Sequence, residues 1–368
     1  MDTGPDDRMY DCLPLYHSVG GVVATGALLV NGGAVVIREK FSARGFWDDV
    51  ARHDCTLVQY IGELARYLVN AAPHPLERQH RLRLACGNGL RADVWEAFKD
   101  RFAIPHILEF YAATEGNLSL YNVEEKPGAI GRVPAFLAHR FPAAIVKRDA
   151  TTGEPLRDAQ GLCVRCAADE PGEALGRIGR DNPGARFDGY TDAQASEKKI
   201  LRDVLKPGDA WFRTGDLMRK DAKGYFYFVD RIGDTFRWKG ENVATTEVAE
   251  TLARCPGVRD ATVYGVAIPG ADGRAGMAAL VVDDDFDLAA LHRHVAACLP
   301  SYARPVFVRI RAELATTGTF KHRKDELARE GYDPAATSDA IYVSDPQQQA
   351  YVRVDGALFE RIQRGQLR

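Results

Sequence analysis

Short apolar runs alternate with helical patterns along the first 111 residues. Ala34-Val-Val-Ile37, Thr56-Leu-Val-Gln-Tyr60, Arg83-Leu-Ala-Cys86 and His106–Phe110 read as strands. Between them lie Ala43–His53, Glu63–Asn70 and Ala92–Phe102, spaced as helices. Ser42 is placed to cap the first, which carries Phe46, Val50 and Ala51 on one face. This β-α-β-α rhythm predicts an α/β fold with a parallel sheet covered by helices. Such sheets take ligands at the carboxyl ends of their strands. Val19–Ile37 is nearly free of charge and long enough to suggest a membrane span. Its five glycines and the Asn31-Gly32-Gly33 turn favour a buried helix, Gly20–Val30, followed by a buried strand, Ala34–Ile37.

The rhythm changes after about Arg140. Ala144–Lys147, Leu162–Arg165, Leu175–Ile178 and Gly224–Val229 are short strands between Gly and Asp turns, which predicts an antiparallel barrel or sheet. Near Arg231 a small α+β unit begins. Its helices are Thr245–Arg254 and Leu288–Leu299, the latter capped by Asp287. Its strands are Ala261–Ile268, Met277–Val282 and Val306–Ile310. The division expected is an α/β part over residues 1–140, a β-rich subdomain over 141–230, a mobile C-terminal domain over 231–345 and an extension over 346–368. Gly233 in Arg231-Ile-Gly-Asp234 is the best hinge candidate.

At 368 residues, with 46% hydrophobic and 27% charged, the chain has the composition of two or three folded units, not of a disordered or fibrous protein. A net charge of −3 gives no global attraction to nucleic acid or an anionic membrane, so any polyanion site is local. Seven scattered cysteines and the acidic Asp2-Thr-Gly-Pro-Asp-Asp7 start predict a reduced, cytoplasmic setting. Cys163-Val-Arg-Cys166 has no second pair, which leaves a zinc ribbon unsupported.

Four segments carry candidate chemistry. In Glu109-Phe-Tyr-Ala-Ala-Thr-Glu-Gly-Asn117 a strand ends in an aromatic residue followed by Thr114 and Glu115. A hydroxyl beside a carboxylate there suits Mg²⁺ and phosphate oxygens, and the aromatic ring suits a purine; a capped turn with a solvated Glu is the alternative. Trp211-Phe-Arg-Thr-Gly-Asp216 sets an Asp after a turn, where it accepts ribose hydroxyls or merely forms an Asx-turn. Asp230-Arg-Ile-Gly-Asp-Thr-Phe-Arg-Trp-Lys-Gly-Glu-Asn242 is dense in charge, fitting an Arg on phosphate or ribose, or a solvated salt-bridge set. Thr316-Thr-Gly-Thr-Phe-Lys321 ends in a Lys able to neutralise charge on a transferring phosphoryl group, or else is a solvated basic loop. No GxxxxGK[ST] loop occurs.

Taken in order, Thr-Glu, Thr-Gly-Asp, Asp-Arg and a late Lys resemble the adenylate-forming (AMP-binding) superfamily. Five further segments look like one branch of it, the very-long-chain acyl-CoA synthetase and fatty acid transport protein family. These are Tyr10-Asp-Cys-Leu-Pro-Leu-Tyr-His17, Lys40-Phe-Ser-Ala43 with Phe46-Trp-Asp-Asp49, Gly233–Val243, Leu299-Pro-Ser-Tyr-Ala-Arg-Pro305 and Thr317–Lys321. The resemblance implies ATP-dependent activation of a long- or very-long-chain fatty acid to acyl-CoA through an acyl-adenylate. ATP and CoA are cosubstrates and Mg²⁺ the metal. A small C-terminal domain rotates on the large domain between the two steps.

By the same resemblance, Glu115 holds Mg²⁺ and Thr114 contacts phosphate. Tyr111 stacks on adenine, with Gly87, Asn88, Gly89 and Ala112 lining the pocket. Asp216 binds the ribose, with Arg231 and Arg237 on the nucleotide, and Lys321 stabilises the adenylation transition state. Gly240 and Glu241 face CoA, Gly233 is the hinge and His17 lines the acyl side. The resemblance also implies a Ser/Thr/Gly-rich phosphate loop upstream of Tyr10, and the sequence begins downstream of that position. The expectation is therefore a chain impaired on its own. Two alternatives stay open: a non-catalytic nucleotide- or acyl-binding uptake module, and a ligase for another carboxylate. Peripheral contact with the inner face of the cell membrane is compatible with a fatty substrate.

Overall fold

The computed structural model describes residues 1–113, 116–149, 152–179, 185–271, 273–317 and 322–366. Its contacts fall into two compact units. The first holds 1–148, 154–214 and 218–228, and the second holds 149–153, 215–217 and 229–368.

In the first unit, β1 (Arg8–Asp11), β2 (Ala34–Ile37), β3 (Leu57–Ile61), β4 (Leu84–Asn88), β5 (His106–Ala112) and β6 (Ser119–Asn122) form one sheet in the order β2-β1-β3-β4-β5-β6. The first five are parallel, as the alternating pattern predicts, and β6 closes the sheet antiparallel to β5. A π-helix (Ser18–Thr25), α1 (Gly26–Asn31), α2 (Phe46–Arg52), α3 (Gly62–Asn70) and α4 (Ala92–Phe102) connect the strands. Phe46, Trp47, Phe98 and Phe102 are buried. Trp47 and Phe102 have ring centroids 4.5 Å apart.

A second sheet runs β7 (Gly131–Arg132), β8 (Ala143–Val146), β9 (Gly172–Arg177), β10 (Ile200–Arg202), β11 (Ala210–Lys220) and β12 (Tyr225–Arg231), in the order β7-β12-β11-β9-β8 with β10 on β11. A short helix, α5 (Ala193–Lys198), is capped by the Asp192 carboxylate. Gly215–Leu217 of β11 and Val229–Arg231 of β12 belong to the second unit.

That second unit contains the hairpin β13 (Phe236–Trp238) and β14 (Glu241–Val243), and α6 (Thr245–Ala253). It also contains a sheet ordered β15-β16-β17-β18-β19, from β15 (Val258–Val266), β16 (Ala275–Val282), β17 (Phe307–Arg311), β18 (Ala340–Asp345) and β19 (Ala350–Arg353). Helices α7 (Leu288–Cys298), α8 (Lys324–Glu330) and α9 (Gly356–Gln363) complete it. The Asp287 carboxylate caps α7 by accepting Ala289 N–H at 2.8 Å, as its position predicts. Met277, Leu280, Leu291, Val295, Phe307 and Ile362 share one core, so the chain beyond residue 346 packs with this unit.

Several expectations need correction. The predicted helix Gly20–Val30 is a π-helix followed by a short α-helix, and it is not buried throughout: Val22, Leu29 and Val30 face solvent. The strand Ala34–Ile37 is likewise no interior strand, because β2 is the edge of its sheet and has no buried residue. Helix α2 starts at Phe46, not Ala43. Ser42 Oγ accepts Gly45 N–H at 3.3 Å and so closes the turn before the helix. The strand expected to end at Cys86 runs on to Asn88. Leu162–Arg165 makes only isolated bridges, Cys163 to Arg157 and Arg165 to Val146.

Candidate nucleotide and acyl site

The parallel register dictates what meets at the carboxyl end of β4. Gly87 is paired with Tyr60 of β3 on one side and with Glu109 of β5 on the other. Beyond Asn88, which still pairs with Ile61 of β3, the chain leaves the ladder, and the N–H groups of Gly89 and Leu90 need new acceptors. Glu109 supplies them. Its Oε1 accepts Gly89 N–H and, at 3.2 Å, Leu90 N–H, while its Oε2 accepts the Tyr60 hydroxyl. Glu109 and Tyr60 are both buried. Burial pushes the Glu109 carboxyl up to about 8, against the pull of its three donors.

The turn has little room to move. A Cβ on Gly62 would lie 1.7 Å from the Gly89 carbonyl oxygen, and Gly89 itself has φ +79°. Asn88 is half-buried in this turn, and its Oδ1 has no hydrogen-bond partner among the described residues. Tyr111 and Ala112 end the neighbouring strand β5, with Tyr111 partly buried and Ala112 exposed. Gly87, Asn88, Gly89, Tyr111 and Ala112 therefore come together at the ends of two adjacent parallel strands. An acceptor left without a partner suits a ligand N–H donor, and an aromatic ring at the end of the neighbouring strand suits a planar ligand, which together fit adenine. His17 lies after β1. Its Nδ1 accepts Val19 N–H at 3.3 Å and caps the π-helix, and π-helical turns recur at functional sites. Thr114, Glu115 and Lys321 lie outside the described residues.

The other candidates lie in the second unit. Asp216 is buried on β11, with Arg231 Nε 3.9 Å from its Oδ1. The Arg231 side chain is 54% exposed, so it remains open to a second anion. Arg231 follows Asp230, a buried carboxylate that accepts the N–H of both Arg231 (2.8 Å) and Thr245 and the Thr246 hydroxyl (3.0 Å). Asp230 thereby ties the segment carrying Arg231 to the start of α6. At Gly233 a Cβ would meet nothing within 4 Å, so its glycine is not required by packing in this conformation.

Arg237 sits on β13, its carbonyl accepting Arg274 N–H at 2.7 Å. Gly240 forms the β13–β14 turn with Lys239. Trp238 pairs with Glu241, which leaves two loop residues at φ +53° and +85°, the signature of a type I′ hairpin. Gly240 and Glu241 are exposed at its tip. Past residue 321, Lys324 Nζ lies 3.0 Å from both Asp234 Oδ2 and Thr245 Oγ1, and His322 Nε2 lies 3.1 Å from Asp260 Oδ2.

Sequence reasoning assigned no role to Glu109 or Lys324, and Asp230 entered it only as the first residue of the Asp-Arg motif. The available signal for Glu109 was a lone carboxylate inside an apolar strand, which demands a buried partner. Among the described residues there is no group of three or more His, Cys, Asp or Glu able to hold a metal.

Comparison with known proteins decides the family. The AMP-binding enzyme model matches residues 1–168, and the AMP-binding enzyme C-terminal domain model matches residues 247–321. The chain belongs to the AMP-binding enzyme family. It is 48% identical over 97% of its length to long-chain fatty acid transport protein 1 of Mus musculus, covering 55% of that protein. It is 46% identical over 99% of its length to long-chain fatty acid transport protein 3 of Homo sapiens, covering 53%. The chain thus spans about half the length of these family members. In fold it is similar to ATP-bound MatB from Rhodopseudomonas palustris, with a TM-score of 0.70, 23% identity and coverage of 89% of this chain and 60% of the other.

Proposed function

We propose that this family member takes part in ATP-dependent activation of a long- or very-long-chain fatty acid to its CoA thioester. The observation that carries the reading is the 48% identity to a long-chain fatty acid transport protein over 97% of the chain, within the AMP-binding enzyme family. In the first step a carboxylate oxygen attacks the α-phosphorus of ATP. A P–O bond to the acyl group forms, the α–β bridge breaks, and pyrophosphate leaves with the electron pair. In the second step the CoA sulfur attacks the acyl carbonyl and AMP departs.

The residue roles in this reading are those the family resemblance implies. The Gly87–Gly89 turn and Tyr111 hold the base, Asp216 accepts the ribose hydroxyls, and Arg231 and Arg237 offset nucleotide charge. Thr114 contacts phosphate and Glu115 holds Mg²⁺, which supplies charge neutralisation when bound. Lys321 meets the charge developing in adenylation. Gly240 and Glu241 face CoA, and His17 borders the acyl chain. Gly233 is the hinge. Division into a large domain and a mobile C-terminal domain near Arg231 belongs to the same proposal. Peripheral contact with a membrane surface goes with the fatty substrate; no helix among the described residues is long and apolar enough to cross a membrane.

Coverage of about half of each family member's length supports a second reading, in which the 368-residue chain binds nucleotide yet turns over poorly alone. Two assays on the purified chain separate these readings: AMP binding by calorimetry, and palmitoyl-CoA formation with ATP–pyrophosphate exchange. Binding with negligible exchange supports the impaired chain. Robust exchange overturns that half, and absence of both overturns the nucleotide site.

A further inference from the structure

We propose that Glu109 is a positioning residue for the adenine-facing turn, its buried carboxyl fixing the backbone of Gly89 and Leu90 where the ladder between β4 and β5 ends. The inference rests on the reading that this turn borders the nucleotide.

A buried carboxyl is costly unless its oxygens are satisfied, and an apolar side chain would pack in the same strand at lower cost. No cation pairs with Glu109 among the described residues. What it does instead is bridge. One oxygen takes two amides from the segment after β4, and the other takes the Tyr60 hydroxyl from β3. A single side chain on β5 thus ties together the ends of three adjacent parallel strands. Without it, the buried Leu90 N–H would be orphaned and the Gly89 N–H, on an exposed residue, would be left to water, at a turn already closed by Gly62 against the Gly89 carbonyl.

The turn is therefore held in one conformation, with Asn88 Oδ1 as its unused acceptor. Holding a binding turn rigid before the ligand arrives lowers the ordering cost of binding. Burial pushes the Glu109 carboxyl toward its neutral form. Glutamine is close in shape and polarity to that neutral acid.

The test uses the full 368-residue chain with three substitutions, Glu109→Leu, Glu109→Gln and Tyr60→Phe. AMP is the probe, and hydrogen exchange at the Gly89 and Leu90 amides is a ligand-free readout. In E109L, exchange at both amides should accelerate at least about tenfold and AMP affinity should fall about tenfold, while E109Q stays within about threefold of the parent in both. Y60F should fall about threefold in AMP affinity, beyond what its unfolded fraction accounts for, and should lower the melting temperature because Glu109 Oε2 is left without its donor.

Unchanged exchange and affinity in E109L overturn the proposal. So does an affinity loss that merely tracks the unfolded fraction, or failure of E109Q to rescue. Should E109L not fold, an unaltered Y60F overturns it instead. If the parent chain does not bind AMP, the nucleotide reading fails, and the exchange data alone decide whether Glu109 holds the turn.

Discussion

Two buried acids respond to pH in opposite directions. Asp7 is paired with Arg83 at 2.7 Å, and that hydrogen-bonded guanidinium pulls its carboxyl from 3.8 down to about 2. A lowered carboxyl stabilises the fold above its unfolded value and loses that contribution as pH falls from about 4 toward 2, by about 2 kcal/mol at most. Arg83→Ala should reduce this acid-limb slope in denaturant titrations, leaving the part owed to the Thr56 and Gly4 hydrogen bonds. Glu109 is raised from 4.5 to about 8 by burial, so the unfolded chain releases its proton first. Stability then falls as pH rises between those values and is flat outside them. The titratable groups facing it, Tyr60 and Cys86, are themselves pushed up by burial and stay neutral in this window. Glu109→Gln should flatten the melting temperature between pH 5 and 8; an unchanged slope would count against the shift. Asp216→Ala removes a buried carboxylate whose Arg231 contact is long and half-solvated. It should lower AMP affinity about tenfold, as read by calorimetry.

Elements show where sequence reasoning succeeds. Strands β3, β4 and β5 are legible because an interior parallel strand must be apolar on both faces, and Leu57-Val58 and Leu84-Ala85 are. Strand β1 is only four residues, with Arg8 and Asp11 at its ends, so its apolar run is too short to register. The edge position of β2 is invisible, since Ala34-Val-Val-Ile37 reads the same at an edge as inside. A π-helix is indistinguishable from an α-helix in Val19–Thr25 because nearly every position there is small or apolar. The candidate site was legible where local motifs define it, as at Gly87–Gly89 and Asp216. Its supports were not, because Glu109 finds its partners 49 and 20 residues away in sequence. The same tertiary closeness makes Gly62→Ala a sharp probe. Its methyl would collide with the Gly89 carbonyl, and a loss of about 2 kcal/mol or more in denaturant unfolding is expected. Asp230→Ala strips the cap from α6 and should cost about 1–2 kcal/mol.

On the scale of the whole molecule, six of the thirteen large apolar side chains exposed among the described residues fall within residues 15–37. Leu15, Tyr16, Val22, Leu29, Val30 and Ile37 are all exposed, Tyr16 and Val30 at 84% each. Surface of that kind is sticky. A solution of the purified chain should therefore brighten the dye ANS without any denaturant, and its sedimentation coefficient should climb with concentration. Serine at Val22, Leu29 and Val30 should quench both behaviours while the far-ultraviolet spectrum holds. Biochemists handling this polypeptide would then meet colloidal trouble first, and a mild detergent or a lower working concentration would be its practical remedy.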